Sequence, residues 1–209
     1  MSWLKSRKKG FKPVKDPILI VCEDSKSSVY YLKEKVKSCG LSPDNVIVDG
    51  DSDSSPPSVV SYALQKRKEQ KKQAKKEGIY EYEAVYCVMD VDDHPNLRDA
   101  IYRALDNGLI PIISNECFEL WYLLHFVKYS TAHINRNELK RKLSSYLGIN
   151  YDKSDDSIFD RIKDNEHQAI DLARRLDISA QDESDERNPK RNPSTEVYIL
   201  IEKINSKRL

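Results

Sequence analysis

Three aspartates, Asp90, Asp92 and Asp93, fall within four positions directly behind the apolar stretch Ala84 to Met89. A strand that ends in so much negative charge needs something to hold. In an extended segment the i, i+2 side chains point the same way, so Asp90 and Asp92 present two carboxylates together while Val91 turns back toward the core. Glu23 and Asp24 follow another apolar run, Ile18 to Cys22, and Glu119 sits between Phe118 and Leu120. Asp49, Asp51 and Asp53 follow a third run and Glu116 a fourth. Carboxylates gathered from several strands repel one another unless cations neutralise them. Hard divalent cations with oxygen ligands, Mg²⁺ or Mn²⁺, meet that demand. Glu23, Asp90 and Asp92 form an incomplete cage that leaves room for water and substrate phosphate, the donor set of metal-assisted phosphoryl transfer.

Each of these residues has a plainer role beside the chemical one. Asp93, just before Pro95 and Asn96, can simply cap the next helix. The segment 49–53 resembles a fragment of a calcium loop but lacks the rest of that pattern, which favours a polar turn. Glu119, among apolar neighbours, is either a ligand or a salt-bridged structural residue. His94 and His125 read as structural. The run 65–76 carries Lys66, Arg67, Lys68, Lys71 and Lys72 around most of a helix. Its default is a solvated face, and nucleic-acid contact through phosphates is the sharper alternative.

The elements that would position these groups follow from hydrophobic patterning. Strands are expected over 17–22, 45–48, 83–89 and 109–114, with Pro111 marking an edge or a bulge in the last. Helices are expected over 25–38, 58–76, 96–107 and 116–127. This alternation argues for an α/β fold with a parallel four-stranded sheet flanked by helices, whose strands deliver their C-terminal ends to one rim. After about residue 128 the pattern becomes helical, with helices expected over 135–147, 155–176 and 194–205 and no further strand. The organisation is then a basic flexible arm (1–16), an α/β core (17–127) and a C-terminal helical extension packed on it (128–209).

Bulk composition excludes little. Across 209 residues, 35 Lys and Arg nearly cancel 34 Asp and Glu, so net charge singles out no partner. No stretch is long and apolar enough to cross a bilayer, and no signal-type segment follows the basic N-terminus. Four cysteines without metal-binding spacing suit a reduced, cytoplasmic setting.

The segments ILIVCEDSKSS (18–28), VYCVMDVDDHPN (85–96), ISNECFELWYLLHF (113–126) and NPSTEVYILI (192–201) resemble the RloB-like family of bacterial defence islands. That resemblance implies a Toprim-like fold, with a glutamate after the first strand and an Asp-x-Asp after the third serving divalent metal. By motif these are Glu23, Asp90 and Asp92. Asp93 extends the pair as a further metal ligand, Asn115 and Glu119 match the later motif, and Lys26 takes the basic position that meets a phosphate. Asp24 departs from the glycine of many relatives, and Glu116 from a common proline. The resemblance also implies an ABC- or AAA-class ATPase as partner and an anti-phage role.

The function expected is therefore a Mg²⁺- or Mn²⁺-dependent nuclease, with Glu23, Asp90, Asp92 and Glu119 catalytic and Glu23 or Glu119 as general base. RNA, including transfer RNA, and DNA remain equal candidates for substrate, and oligomeric state is open. A non-catalytic adaptor of an ATPase complex is the alternative. Nucleotidyl transfer ranks last, because the chain has no glycine-rich phosphate cradle.

Overall fold

The computed structural model describes residues 16–91, 94–127, 132–180 and 189–208. The four apolar runs form β1 (Ile18–Cys22), β2 (Val46–Asp49), β3 (Ala84–Asp90) and β4 (Ile110–Asn115). Between them lie α1 (Ser27–Ser38), α2 (Pro56–Glu77) and α3 (Leu97–Asp106), so each crossover returns the next strand parallel to the last. Ser55 caps α2, with Pro56 and Pro57 in its first turn, where a missing N–H costs nothing.

After β4 come α4 (Glu119–Leu123), α5 (Arg136–Leu147), α6 (Ile158–Ile162), α7 (Glu166–Ala180), β5 (Ser194–Thr195) and α8 (Val197–Ser206). The helix expected over 116–127 is α-helical only in α4, and its flanks close by tighter i to i+3 bonds such as Phe126 N–H to Leu123 O.

Four parallel strands are too few. The sheet has five, in the order β2-β1-β3-β4-β5, and β5 runs antiparallel to β4. No apolar run announces β5, because side chains do much of its pairing. The Ser114 and Thr195 hydroxyls meet at 2.8 Å, and the Glu196 carboxylate accepts the Ile113 N–H at 2.9 Å. The helix expected from residue 194 consequently starts at Val197. Since β5 pairs only with Ser114 and Asn115, Pro111 falls where it blocks no outer partner, as expected for an edge.

Strand parity divides the core in two. Ile18, Ile20, Cys22, Tyr86, Val88 and Ile112 join a large cluster with α1 and the helices that follow β4. Leu19, Val21, Val85, Cys87, Met89 and Ile113 pack with α2 and α3 on the other face. By the same parity Asp90 continues the Tyr86, Val88 series. It therefore emerges on the face covered by α1 and the C-terminal helices. A buried ion pair, Lys35 to Glu166 at 2.6 Å, ties α1 to α7 on that face. No helix among the described residues is long and apolar enough to cross a membrane.

Gly50 lets the β2–α2 loop touch the β1–α1 loop. A Cβ there would lie 2.6 Å from Val29 Cγ2 and 3.0 Å from the Asp24 carbonyl oxygen. Gly50→Ala should therefore destabilise the protein by about 1–3 kcal/mol through overpacking against backbone. Urea denaturation checks this, and an unchanged midpoint would show that the Asp24 loop gives way freely.

Candidate metal centre

The chain reverses direction across the sheet between β1 and β3. It steps outward from β1 to β2, then crosses back to β3 on β1's other side. Open α/β sheets bind ligands at the C-terminal rim of such a switch point, where neighbouring connections leave in opposite directions. Glu23 follows β1 there and Asp90 ends β3. Glu23 Oε2 accepts the Asp90 N–H at 3.1 Å, and its Oε1 lies 3.3 Å from His94 Nε2.

The turn from β4 into α4 adds the rest. Asp90 Oδ1 accepts the Phe118 N–H at 2.9 Å, and its Oδ2 lies 3.5 Å from the Arg136 guanidinium at the start of α5. Glu119 is only 3% exposed. Its Oε1 accepts the Tyr151 hydroxyl at 3.0 Å and faces Lys153 Nζ at 3.5 Å. Its Oε2 is buried with no hydrogen-bond partner. Ligand atoms of Asp90, Cys117 and Glu119 all lie within 4.8 Å of one another, close enough to share one cation. The peptide joining Asn115 to Glu116 is cis.

A cleft of about 420 Å³ opens onto this group. Lys26, Arg136, Lys140 and Lys153 bring positive charge to its walls, with Tyr151 and Asn137 beside them. The site is thus a buried acidic centre within a basic cleft.

The two buried carboxyls are pushed in opposite directions. Burial, together with the charges of Glu119 and Glu23, raises the Asp90 pKa well above the carboxylate range. Burial alone would also raise Glu119, but the Lys153 charge and contacts with the Cys117 thiol and Tyr151 outweigh it and hold the carboxyl below its usual value. Burial pushes the Cys117 thiol up. Without a cation, then, Asp90 keeps a proton that the unfolded chain releases at about pH 3.9. Its contribution to stability is full below that pH and is lost as pH rises through the raised folded value. A cation bound by Asp90 must displace the same proton. Mn²⁺ affinity should therefore fall about tenfold per pH unit below the raised pKa, with proton release on binding. Calorimetry in buffers of different ionisation enthalpy measures that release, and a pH-independent affinity with none would show Asp90 already ionised.

The donors suit a divalent cation. Two carboxylates and a thiol converge in a buried place, and one carboxylate oxygen has nothing else to satisfy it.

Of the residues expected at the site, Glu23, Asp90 and Glu119 meet at this rim and Lys26 lines the same cleft. Asp92 and Asp93 lie outside the described residues. The Asp24 carboxylate is taken up at the start of α1, accepting the Lys26 N–H at 2.8 Å and bonds from Ser27 and Ser28, while its charge adds to those that raise the Asp90 pKa. The basic residues of α2 sit apart. Lys66 pairs with Asp49 at 3.2 Å, and Arg67 donates to the Asn107 carbonyl at 2.8 Å. Lys68, Lys71 and Lys72 are exposed along the helix as it runs away from the rim.

A model of the RloB-like protein family matches residues 18–204. The chain belongs to the RloB-like family. No curated protein and no solved structure matches it. The matched span includes every described residue of the RloB-like centre, from Glu23 to Lys153.

Sequence reasoning missed Cys117, Arg136, Lys140, Tyr151 and Lys153 as parts of this centre. Cys117 had a signal, since it stands in the ISNECFELW segment two positions before Glu119. The others come from the start of α5 and the loop after it, where polar residues look like any solvated surface.

Proposed function

We propose that this RloB-like protein is a Toprim-like, divalent-metal-dependent nuclease. It hydrolyses phosphodiester bonds of RNA or DNA in anti-phage defence, under the control of a partner ATPase. The observation that carries this reading is the unsatisfied, buried Glu119 Oε2 beside the Asp90 carboxylate, at a switch-point rim walled by cations. Nothing in ordinary core packing calls for that combination.

In this reading Glu23, Asp90 and Glu119, with Asp92 and Asp93, hold Mg²⁺ or Mn²⁺. The bound cation supplies Lewis-acid polarisation of a phosphoryl oxygen. Glu23, fixed by the Asp90 N–H and by His94, accepts a proton from the attacking water. Lys26, Arg136, Lys140 and Lys153 neutralise and orient the phosphates flanking the cleaved bond. The Phe118 N–H and the Tyr151 hydroxyl each donate to one carboxylate, Asp90 and Glu119, and hold it in place.

The test starts with Mn²⁺ titrated calorimetrically into the wild type and an Asp90→Ala/Asp92→Ala variant. Cleavage of end-labelled RNA, transfer RNA and DNA follows, with and without a candidate ABC- or AAA-class partner ATPase. Saturable binding and metal-dependent cleavage, both lost in the variant, are expected. Equal heats from the two proteins, or undiminished cleavage by the variant, would remove the reading.

A further inference from the structure

The thiol in the centre is chemically out of place for Mg²⁺. That cation takes oxygen ligands at short, near-octahedral distances and gains little from sulfur. Cys117 is nonetheless 1% exposed, with its Sγ within 4.8 Å of ligand oxygens from Asp90 and Glu119. It also differs from the other cysteines. Cys22 and Cys39 share its apolar cluster and Cys87 lies in the other, but of the four only Cys117 falls in a group of converging ligand atoms among the described residues. An independent observation marks the same spot as a ligand position: Glu119 Oε2 is buried there with no partner.

We infer that Cys117 is a metal ligand, and that with Asp90 and Glu119 it makes the centre select a divalent transition metal, from the series Mn²⁺, Co²⁺ and Zn²⁺, over Mg²⁺. The inference rests on the reading of this cluster as a metal site and sharpens which metal it takes. Mixed sulfur and oxygen donors follow the usual rise in affinity from Mn²⁺ through Co²⁺, while soft ligands favour metals such as Zn²⁺. Coordination exchanges the thiol proton, which leaves to solvent, for a metal–sulfur bond. No electron transfer is involved. The buried setting also excludes competing thiols and keeps the sulfur from random oxidation.

The test uses the full chain and Cd²⁺, whose bond to a thiolate gives an ultraviolet charge-transfer band whether or not the protein is active. Wild type should develop the band stoichiometrically. Cys117→Ser should lose it while keeping an oxygen ligand, and a Cys22→Ala/Cys39→Ala/Cys87→Ala variant should retain it. Competition calorimetry should show the preference for Mn²⁺ over Mg²⁺ falling at least about tenfold in Cys117→Ser, no less than the loss of a mere outer-shell partner costs. Should Cys117→Ser fail to fold, the wild type and the triple variant still decide the question. Cd²⁺ and Mn²⁺ binding with no band in the wild type, or the same band in Cys117→Ser, overturns the role of Cys117 and leaves the carboxylate site intact. No binding of any of these metals defeats the metal-site reading and this inference with it.

Discussion

Asp90→Asn should abolish saturable Mn²⁺ binding and lower phosphodiester cleavage more than about 100-fold, beyond the upper end of what outer-shell changes cost. Asparagine keeps the volume of the side chain and an oxygen that can accept the Phe118 N–H, so the fold has little reason to change. What disappears is the charge. In the metal-free protein that charge is a burden, since burial and the facing carboxylates of Glu119 and Glu23 oppose ionisation of Asp90. The variant without metal should accordingly be as stable as wild type or slightly more stable at neutral pH. A hundredfold excess of metal over its dissociation constant should stabilise the wild type by about 2.7 kcal/mol and the variant not at all. Thermal melts with and without Mn²⁺ read both effects. A variant that still gains stability from metal would place the cation elsewhere.

Trp121→Ala should cost about 3–5 kcal/mol, the range for emptying a buried aromatic site. In a protein of ordinary stability that is a large share of the total. Trp121 is fully buried, with its ring 5.0 Å from His125 and 6.3 Å from Tyr31. Tyr31 in turn meets Phe159 at 5.3 Å and Tyr122 at 5.5 Å, so one aromatic group joins α1, α4 and α6. His125 stays neutral within it, since burial lowers its pKa to about 4. This group is the shelf beneath the metal centre, because Phe118 and Glu119 sit on the same turn as Trp121. Metal affinity should fall along with stability. Trp121→Phe keeps an aromatic ring in the site and should cost less, about 1–2 kcal/mol. Urea midpoints separate the two variants, and equal losses would mean that packing around the indole is not what holds the shelf.

The parts of this structure legible in the sequence are those in which a residue's own type determines its place. The apolar runs of β1 and β3 admit few environments other than a covered sheet, and their parity carries through to Asp90. The Ser55-Pro56-Pro57 start of α2 is equally local. β5 was not legible, because its pairing relies on Glu196 reaching the backbone of Ile113 from a segment with no strand-like pattern. Cys117 escaped notice for a related reason. Metal-binding cysteines are sought by their spacing to other cysteines and histidines, whereas its neighbours at the centre are carboxylates from β3 and α4. The basic run of α2 shows the limit of composition from the other side. Composition marks such a stretch as a possible phosphate surface, but it cannot reveal that Lys66 and Arg67 face Asp49 and Asn107.

The assembly of the centre from Glu23, Asp90, Cys117, Glu119, Arg136, Tyr151 and Lys153 also sets when it can exist. A growing chain emerges from the ribosome N-terminus first, and contacts this distant in sequence form late. Until Lys153 has emerged, Glu119 lacks its cation and its tyrosine. Until Ser194 and Glu196 arrive, the outer edge of β4 is bare. The order of synthesis therefore withholds the assembled centre until the segment through Lys153 has emerged, and its bordering sheet edge until Glu196 has followed.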